Sequence, residues 1–412
     1  WMFFVLSLLS ATWLLHIATG VVIFGCRFIG LRRLSKEPLE TWPTCCIIVP
    51  CFLPNEQHII LETVNRVAAV DYAGEMRVLV VYNTPEALPI QKELAALTEK
   101  HGRKVSAIDV KGSKSKAHNL EHALTEIDEE VVVLFDADHH PSKDCVAILV
   151  ATLMRMPHVI AVQGAVLINR GGPTPMRLIL NAMEWSSWCI FGPGISTLVG
   201  SGYFGGACAA WRPDALRSLG FDASMQTEDI DVSIRALAQG HRIQMAPHAQ
   251  SVEMCPASVG ALYKQRLRWA IGWEEVTYRR LASVFSSPDI SEPRKWRVAL
   301  LLLARYLTLF TSMFGVGQMI DSAFFAHQWP PPVRVAMTIP GATCTTLGLY
   351  TAWMLWQLKA PPGLALGVFL FQLCSPIFFF VQSSLIVVAT FKLACSGGKE
   401  IDWVPTKRSA PA

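Results

Sequence analysis

The sequence has few charged residues, and it lacks both a long basic run and a C-x-x-C pair. Asp, Glu, Lys and Arg make up 17% of its 412 residues, whereas 52% are hydrophobic. This composition is atypical of an ordinary soluble protein and favours one large domain with membrane segments. Net charge is only +4, without a long basic run, which argues against nucleic acid as a partner. The eleven cysteines include no C-x-x-C pair, so we interpret them as small apolar residues of a reducing compartment.

Long apolar stretches occupy both ends of the chain. Residues 1–30 contain one Arg and one His and are long enough for an N-terminal transmembrane helix. The basic run "LRRLSK" that follows predicts that the next segment is cytoplasmic. Residues 297–395 form three more apolar blocks, a C-terminal channel region whose number of crossings the sequence does not decide, and residues 396–412 form a predicted cytoplasmic tail. We therefore expect an integral protein of the plasma (inner) membrane with its catalytic part in the cytoplasm.

Residues 44–283 have a different pattern, in which short apolar runs alternate with helical stretches. Continuous runs rich in β-branched residues predict strands buried on both faces, as in a mainly parallel sheet. In such sheets, ligands bind beyond the carboxyl ends of the strands. The predicted strands are "CCIIVPCF" (45–52), "MRVLVVYN" (76–83), "VSAIDV" (105–110) and "VVVLF" (131–135).

The segment "FDADHHP" follows the last of these runs and places Asp136 and Asp138 two residues apart. Residues at this spacing in an extended segment point the same way. Two converging carboxylates make an oxygen site for Mg²⁺ or Mn²⁺ beside a substrate's phosphates. A plain polar turn explains the motif equally simply. The neighbouring His139 and His140 are not assigned as ligands.

Two further segments carry charged residues before predicted helices. Thr227, Glu228 and Asp229 begin the helical stripe of "MQTEDIDVSIRALAQG". They fit either helix capping or a fixed carboxylate acting as a general base. In "KGSKSKAHNL", Lys116 has a point charge suited to a diphosphate, although a solvated loop explains this segment as well.

The segment "YKQRLRWAIGW" mixes cations and aromatics. At helical spacing Gln265, Arg268 and Trp269 share one face. A helix lying on a membrane surface separates its basic and aromatic faces, whereas this one combines a guanidinium, a carboxamide and an indole.

In this order, "VPCFLPNE", "KAHNL", "DAD", "TED" and "QRLRW" resemble the membrane-embedded glycosyltransferases of family 2, the group of cellulose, chitin and hyaluronan synthases. The segment "FGGACAAWR" (204–212) is similar to the family's acceptor-end segment. "DWVPTKR" (402–408) is similar to its C-terminal W-x-x-T-x-R stretch at the channel mouth. The resemblance implies a GT-A-type α/β nucleotide-sugar transferase domain, inserted between transmembrane helices and interfacial amphipathic helices such as residues 176–192.

The resemblance also implies roles for individual residues. Asp138, helped by Asp136, would hold Mg²⁺ or Mn²⁺ on the diphosphate of a UDP-sugar. Asp229 would deprotonate the acceptor hydroxyl for a single inverting displacement, with Thr227 and Glu228 shaping the site. The donor-binding residues would be Glu56, Tyr82, Asn83, Lys116, Asp136 and Arg268. The acceptor-binding residues would be Gln265, Trp269, Gly205, Gly206 and Cys208, and the gating residues Trp403, Thr406 and Lys407.

One position departs from the family's pattern. Family members commonly carry Asp at the end of the second strand, where this chain has Tyr82 and Asn83. A tyrosine there could stack on uracil, and Asn83 or Glu56 could supply hydrogen bonds. This departure puts the nucleotide contacts in question, but not the metal or the base.

Two enzymatic functions fit the resemblance. In the first, the enzyme extends a β-linked polysaccharide from a UDP-sugar and passes it across the membrane. In the alternative, it adds one sugar to a membrane lipid, as ceramide glucosyltransferase-like relatives do. The apolar C-terminal blocks and "DWVPTKR" favour the polymer, whereas a non-enzymatic membrane protein would need all the motifs to be accidental. The sequence identifies neither the sugar nor the oligomeric state.

Overall fold

The structure is a computed structural model that describes residues 2–303, 305–306, 309 and 331–395. In this part of the chain, one sheet is built from β1 (Cys45–Phe52), β2 (Met76–Asn83), β3 (Glu99–Lys100), β4 (Arg103–Asp109), β5 (Val131–Leu134), β6 (His140–Pro141), β7 (Ala161–Arg170), β8 (Ala209–Trp211) and β9 (Ile243–Met254). The strand order is β3-β4-β2-β1-β5-β8-β7-β9-β6.

The four strands expected from the sequence are β1, β2, β4 and β5, and they pair in parallel with one another. Side chains of β1 alternate between two hydrophobic cores, as the two-residue period of a strand requires. Cys45, Ile47 and Val49 enter one core, whereas Cys46 and Ile48 enter the other. Both faces of this half-sheet are therefore buried, which explains its continuous apolar runs.

The sheet as a whole is mixed rather than mainly parallel. β8 runs antiparallel to both β5 and β7, and β7 and β9 are parallel to each other. The three-residue strand β8 is too short to give a periodic signal, so the sequence could not predict its direction.

Helices cover both faces of the sheet and flank one end of it. They are α1 (Met2–Lys36), α2 (Leu53–Glu56), α3 (Ile60–Ala68), α4 (Ile90–Ala96), α5 (Lys116–Thr125), α6 (Cys145–Arg155), α7 (Thr174–Ser186), a π-helix (Ser187–Phe191), α8 (Gly192–Val199), α9 (Pro213–Leu219), α10 (Glu228–Ala238), α11 (Val259–Ser286), α12 (residues 292–303), α13 (Pro331–Gln357) and α14 (Pro362–Cys395). Helices α3, α4 and α6 pack on one face of the sheet, and α5, α9 and α10 pack on the other.

A third hydrophobic cluster joins the terminal helices to the sheet. It contains Phe28 of α1, Trp185 of α7, Met245 of β9, Met354 of α13 and Phe371 of α14. The second half of α7 is buried in this cluster, so that part of the expected interfacial helix packs against protein.

The terminal regions predicted to cross a membrane are helical where the structure describes them. In the N-terminal region, α1 begins at Met2 and ends at Lys36. In the C-terminal region, α13 and α14 lie within residues 297–395. Among the described residues, however, no helix combines the length and the apolar character that a crossing needs. The predicted tail, with Trp403, Thr406 and Lys407, lies outside the described residues.

Candidate active site

A cavity of about 370 Å³ lies beyond the carboxyl ends of β1, β2 and β5, where α5, α10 and α11 approach the sheet. Parallel strands bring their carboxyl ends to one edge, which is where α/β proteins bind ligands. The expected site residues that line this cavity are Glu56, Asn83, Lys116, Asp136, Gly205, Gly206, Thr227, Glu228, Asp229, Gln265, Arg268 and Trp269. Their assigned roles stay predictions, but the fold does bring them together.

Asp229 occupies the first turn of α10 with its carboxylate at the cavity. Its Oδ1 accepts a hydrogen bond from the amide of Ile230, at 2.9 Å. Burial, reinforced by the negative charge of Glu228, raises the pKa of Asp229 to about 7, against the opposing effects of Lys116 and Arg268. A carboxylate with a pKa near neutrality is well matched to act as a general base.

Thr227 precedes α10 but does not cap it through its side chain. Its buried hydroxyl has no hydrogen-bond partner among the described residues. The side chain instead lies against the backbone of Gly272 in α11, where an added Cβ would overlap it. The capping interpretation is therefore wrong for this side chain, and Thr227 is a contact between α10 and α11.

Lys116 connects three parts of the site. Its ammonium lies 2.6 Å from Asp136 and 3.6 Å from Glu228, and it donates to the carbonyl of Gly206 at 2.8 Å. Burial alone would lower the pKa of Lys116, but the carboxylates of Asp136, Glu228 and Asp229 outweigh it and raise the pKa. Lys116 therefore stays charged in the lining of the cavity, and a charged ammonium there suits a phosphate ligand.

Asp138 belongs to a group of potential metal ligands that also contains His139 and Glu253. Its Oδ2 accepts a hydrogen bond from the amide of Met254. Asp138, His139 and Glu253 each place a ligand atom within 4.8 Å of the others. Two carboxylates and an imidazole form a donor set that fits Mn²⁺ well. A divalent ion therefore fits Asp138 with His139 and Glu253, whereas Asp136 is already paired with Lys116.

Helix α11 carries the three residues expected on one face, and all three line the cavity. Arg268 is half-buried and donates to the carbonyl of Gln226 at 3.4 Å. Burial lowers the pKa of its guanidinium, while Glu228 and Asp229 oppose that change. Gln265 and Trp269 lie on the same side of the helix, so a cation, a carboxamide and an indole do face one cavity.

The indole of Trp269 is backed by a neighbouring cation. The guanidinium of Arg266 lies 4.3 Å from the ring centroid, within the range of a cation–π interaction. Arg266 is in turn held by Glu184 of α7 at 2.6 Å. This chain of contacts fixes the orientation of Trp269.

Only one residue of the Tyr82–Asn83 pair faces the cavity. Neighbouring residues of a strand point to opposite faces, so both side chains could not contact the same nucleotide. Tyr82 packs into the hydrophobic core, which corrects its assignment to the donor site. Asn83 lines the cavity and accepts a hydrogen bond from Asn119 at 2.8 Å, and Glu56 accepts one from the amide of Phe52.

The segment before β8 brings backbone close to the base. Gly206 has a φ of +89°, and a Cβ there would lie 3.0 Å from Asp229 Oδ2. A side chain at Gly206 would therefore crowd the carboxylate. Cys208 is fully buried in the core, with its sulfur 3.7 Å from that of Cys145. Cys208 therefore does not line the cavity, contrary to its assignment to the acceptor site.

Several cavity residues were not assigned from the sequence. Arg266 lies inside the "QRLRW" segment and could have been recognised there. The others come from elements far apart in the chain, and no local pattern connects them. These residues are His139, Glu184, Trp188, Tyr203 and Glu253.

The fold and the cavity define a class of protein. Carboxylates, the cations Lys116 and Arg268 and a group of potential metal ligands meet where the strands of an α/β sheet end, which suits a ligand that carries phosphates. Residues 43–272, more than half of the chain, match the family described as "Glycosyltransferase like family 2". The chain belongs to this family and is therefore a glycosyltransferase.

Curated relatives and a solved structure are more distantly similar. The chain is 24% identical over 292 residues to the probable glycosyltransferase YdaM of Bacillus subtilis, covering 68% of this chain and 66% of that protein. It is 25% identical over 259 residues to poly-β-1,6-N-acetyl-D-glucosamine synthase of Staphylococcus aureus, covering 62% and 61%. The chain thus spans less than two thirds of the length of either relative.

The solved structure is that of the mannosyltransferase PcManGT from Pyrobaculum calidifontis in complex with GDP-Man and Mn²⁺. It has a TM-score of 0.54 and 18% identity, and the match covers 93% of this chain and 98% of that one. At this identity, the similarity shows a shared fold.

Proposed function

We propose that this glycosyltransferase moves a sugar from a UDP-sugar onto a growing β-linked polysaccharide, with inversion at the anomeric carbon. The observation that carries the proposal is Asp229, a half-buried carboxylate with a pKa near 7 in one cavity with Lys116, Arg268 and Trp269. These side chains supply a base, two cations and an aromatic surface, which are what an acceptor hydroxyl, a diphosphate and a sugar ring respectively need.

The reaction follows from these positions. Asp229 takes the proton from the acceptor hydroxyl, and the resulting oxygen nucleophile attacks the anomeric carbon. The bond from that carbon to the β-phosphate oxygen breaks, and UDP leaves with both bonding electrons. Lys116 and Arg268 stabilise the negative charge that develops on the diphosphate. Attack opposite the leaving group converts an α-linked donor into a β-linked product.

A divalent ion would be held by Asp138, His139 and Glu253. The donor atoms of these three residues lie close enough together for one ion. When bound, it would neutralise diphosphate charge and favour departure of UDP. Mn²⁺ suits this mixed nitrogen and oxygen set better than Mg²⁺, which prefers oxygen ligands.

The polymer is favoured as product over a single-sugar lipid. One curated relative is named for the synthesis of poly-β-1,6-N-acetyl-D-glucosamine. Several aromatic rings line the cavity, namely Trp188, Tyr203, Trp269 and Trp273. Rings in this number could contact more than one sugar of an acceptor chain.

We also propose two roles for membrane lipid. It would contact the apolar surface of the protein, and in the alternative function it would accept the transferred sugar. Helices α13 and α14 expose large apolar side chains, with Leu349 69%, Trp356 73% and Phe391 69% accessible. Apolar surface of this kind marks contact with a partner or a membrane. Translocation of a polymer stays a prediction from sequence, because none of the described helices meets the requirements of a crossing.

A donor screen tests the proposed function. Purified full-length protein in lipid nanodiscs is incubated with Mn²⁺ and each of several UDP- and GDP-sugars, and release of the nucleoside diphosphate is measured. We expect UDP release from one UDP-sugar and a product of several sugars by mass spectrometry. A product of one sugar on a lipid would replace the polymer with the alternative. Release of GDP alone would overturn the assignment of the nucleotide.

A further inference from the structure

The C-terminal helix α14 contributes a polar side chain to the catalytic cavity. Ala389 of α14 packs with Leu267 and Ile271 of α11 in one hydrophobic cluster. Gln382 precedes Ala389 by seven residues, or two helical turns, so both lie on the same face of α14. Gln382 lines the cavity together with residues of α11. A residue more than a hundred positions beyond the segment that matches the family thus reaches the site.

Gln382 has an unmet hydrogen-bonding requirement there. Its side-chain oxygen is buried and accepts no hydrogen bond from any described residue. The side-chain oxygen of Gln265, on α11, is buried and without a partner in the same way. Buried polar atoms are almost always hydrogen-bonded in native proteins, and an exception calls for a ligand or another explanation.

The chemistry of these two oxygens restricts the ligand. A carboxamide oxygen accepts hydrogen bonds and cannot donate them, so its partner must present O–H or N–H groups. Lys116 and Arg268, which suit an anion, lie with the carboxylates of Asp136 and Glu228 instead. The indole of Trp269 lines the same cavity. A flat apolar surface beside two acceptor atoms matches a sugar ring, which has apolar faces and hydroxyl groups around its edge.

We propose that Gln382 is an acceptor-binding residue of this enzyme. Together with Gln265 it accepts hydrogen bonds from the hydroxyl or acetamido N–H groups of the acceptor sugar that stacks on Trp269. This inference rests on the proposed function. It makes α14 part of acceptor recognition, so that acceptor choice depends on a residue outside the predicted domain of residues 44–283.

Gln382→Met tests the inference, because it keeps length and removes the hydrogen-bonding group. Gln372→Met is the matched control on the same helix, since Gln372 donates to Thr351 of α13 and does not line the cavity. Wild-type protein and both variants are assayed with UDP-N-acetylglucosamine, or the donor found in the screen, and a short β-linked oligosaccharide of that sugar.

For Gln382→Met we expect the KM for the acceptor to rise about tenfold, the scale of one lost hydrogen bond. UDP affinity should stay within about twofold, and the melting temperature should not fall, because the oxygen that is removed has no partner to lose. For Gln372→Met the acceptor KM should not change.

An acceptor KM within about twofold of wild type in Gln382→Met overturns the inference, as does an equal rise in both variants. If the wild-type protein transfers no sugar at all, the proposed function fails and the inference fails with it. Normal transfer by the wild type with an unchanged Gln382→Met overturns the inference alone.

Discussion

At neutral pH, the carboxyl group of Asp229 is divided between its charged and neutral forms, because burial and Glu228 raise its pKa to about 7. Only the charged form can take a proton from an acceptor. As the proposed general base, Asp229 would therefore set both the rate of transfer and its dependence on pH.

Replacing Asp229 with Asn keeps the shape of the side chain and removes its basicity. We expect transfer to fall by roughly 10²-fold or more, the usual scale for a general base, with little change in UDP affinity. In the wild type, kcat/KM should fall about tenfold for each pH unit below about 7. Asp214→Asn is the control, since the Asp214 side chain is 99% accessible. Near-normal transfer by Asp229→Asn would move the base to another residue, with Glu228 the first candidate.

The same variant has a predictable effect on stability. A carboxyl group whose pKa is higher in the folded protein stabilises it fully below its unfolded pKa of about 4, and this contribution is lost as pH rises to about 7. Asp229→Asn should therefore raise the melting temperature at pH 8 more than at pH 5. Thermal scans of both proteins at the two pH values measure this difference, and an equal shift at both would contradict the raised pKa.

The metal ligands make a second residue-scale prediction. Because Asp136 is paired with Lys116 and Asp138 lies with His139 and Glu253, Asp138→Asn and Glu253→Gln should each weaken Mn²⁺ binding roughly tenfold or more. Asp136→Asn should weaken it much less in the absence of nucleotide. Titration of Mn²⁺ followed by electron paramagnetic resonance measures the affinity without any assay of activity. If Asp136→Asn weakens Mn²⁺ binding as much as Asp138→Asn does, the ion is held by the two aspartates, as the sequence alone predicts.

Single residues differ in how well the sequence alone could predict them. Motifs beside predicted strands or helices single out Lys116, Asp136 and Asp229. All three line the cavity in the structure. Tyr82 was placed in the donor site because it occupies the strand end where family members carry Asp, but its side chain packs into the core, opposite to that of Asn83. Glu253 joins Asp138 through the return of β9 to the sheet, a contact over more than a hundred residues that no local pattern encodes.

Among the elements, α11 has the most varied role. Its cavity face carries Gln265, Arg268 and Trp269, and its next turn places Gly272 against Thr227. Further along, Arg280 donates to Asp231 of α10 at 2.6 Å. The helix that lines the cavity therefore also contacts the helix that carries Asp229, and displacement of one should displace the other.

Gly272→Ala tests this coupling. The added methyl group would overlap the side chain of Thr227, so α10 or α11 has to move. We expect kcat to fall about tenfold or more, since a misplaced base costs rate steeply, and the melting temperature to fall by a few degrees. Circular dichroism melts and initial rates of UDP release measure the two effects.

Gly260→Ala is the matched control for this experiment. A Cβ at Gly260, in the same helix, would meet only Ser258 at 3.8 Å. In an open helical position, alanine is favoured over glycine by about 0.5–1 kcal/mol, so this variant should be as active as wild type and no less stable. If both variants keep wild-type kcat, α11 does not position the base.

For the whole molecule, the sequence predicts one half of the sheet but not the other. The domain bounds 44–283 stay a prediction beside the family match over residues 43–272. The parallel half of the sheet follows from its buried apolar runs. The antiparallel insertion of β8 does not, because three residues carry too little pattern. The position of α14 over the cavity follows from packing between distant segments and was equally inaccessible from the sequence.

The central claim is that one cavity catalyses a direct, inverting displacement with Asp229 as base. The most direct test is the anomeric configuration of the product, measured by proton NMR on sugar transferred from the α-linked UDP donor that the screen identifies. We expect a β-linked product that forms with Mn²⁺ and is lost in Asp229→Asn. An α-linked product would contradict it, because retention of configuration cannot arise from a single displacement.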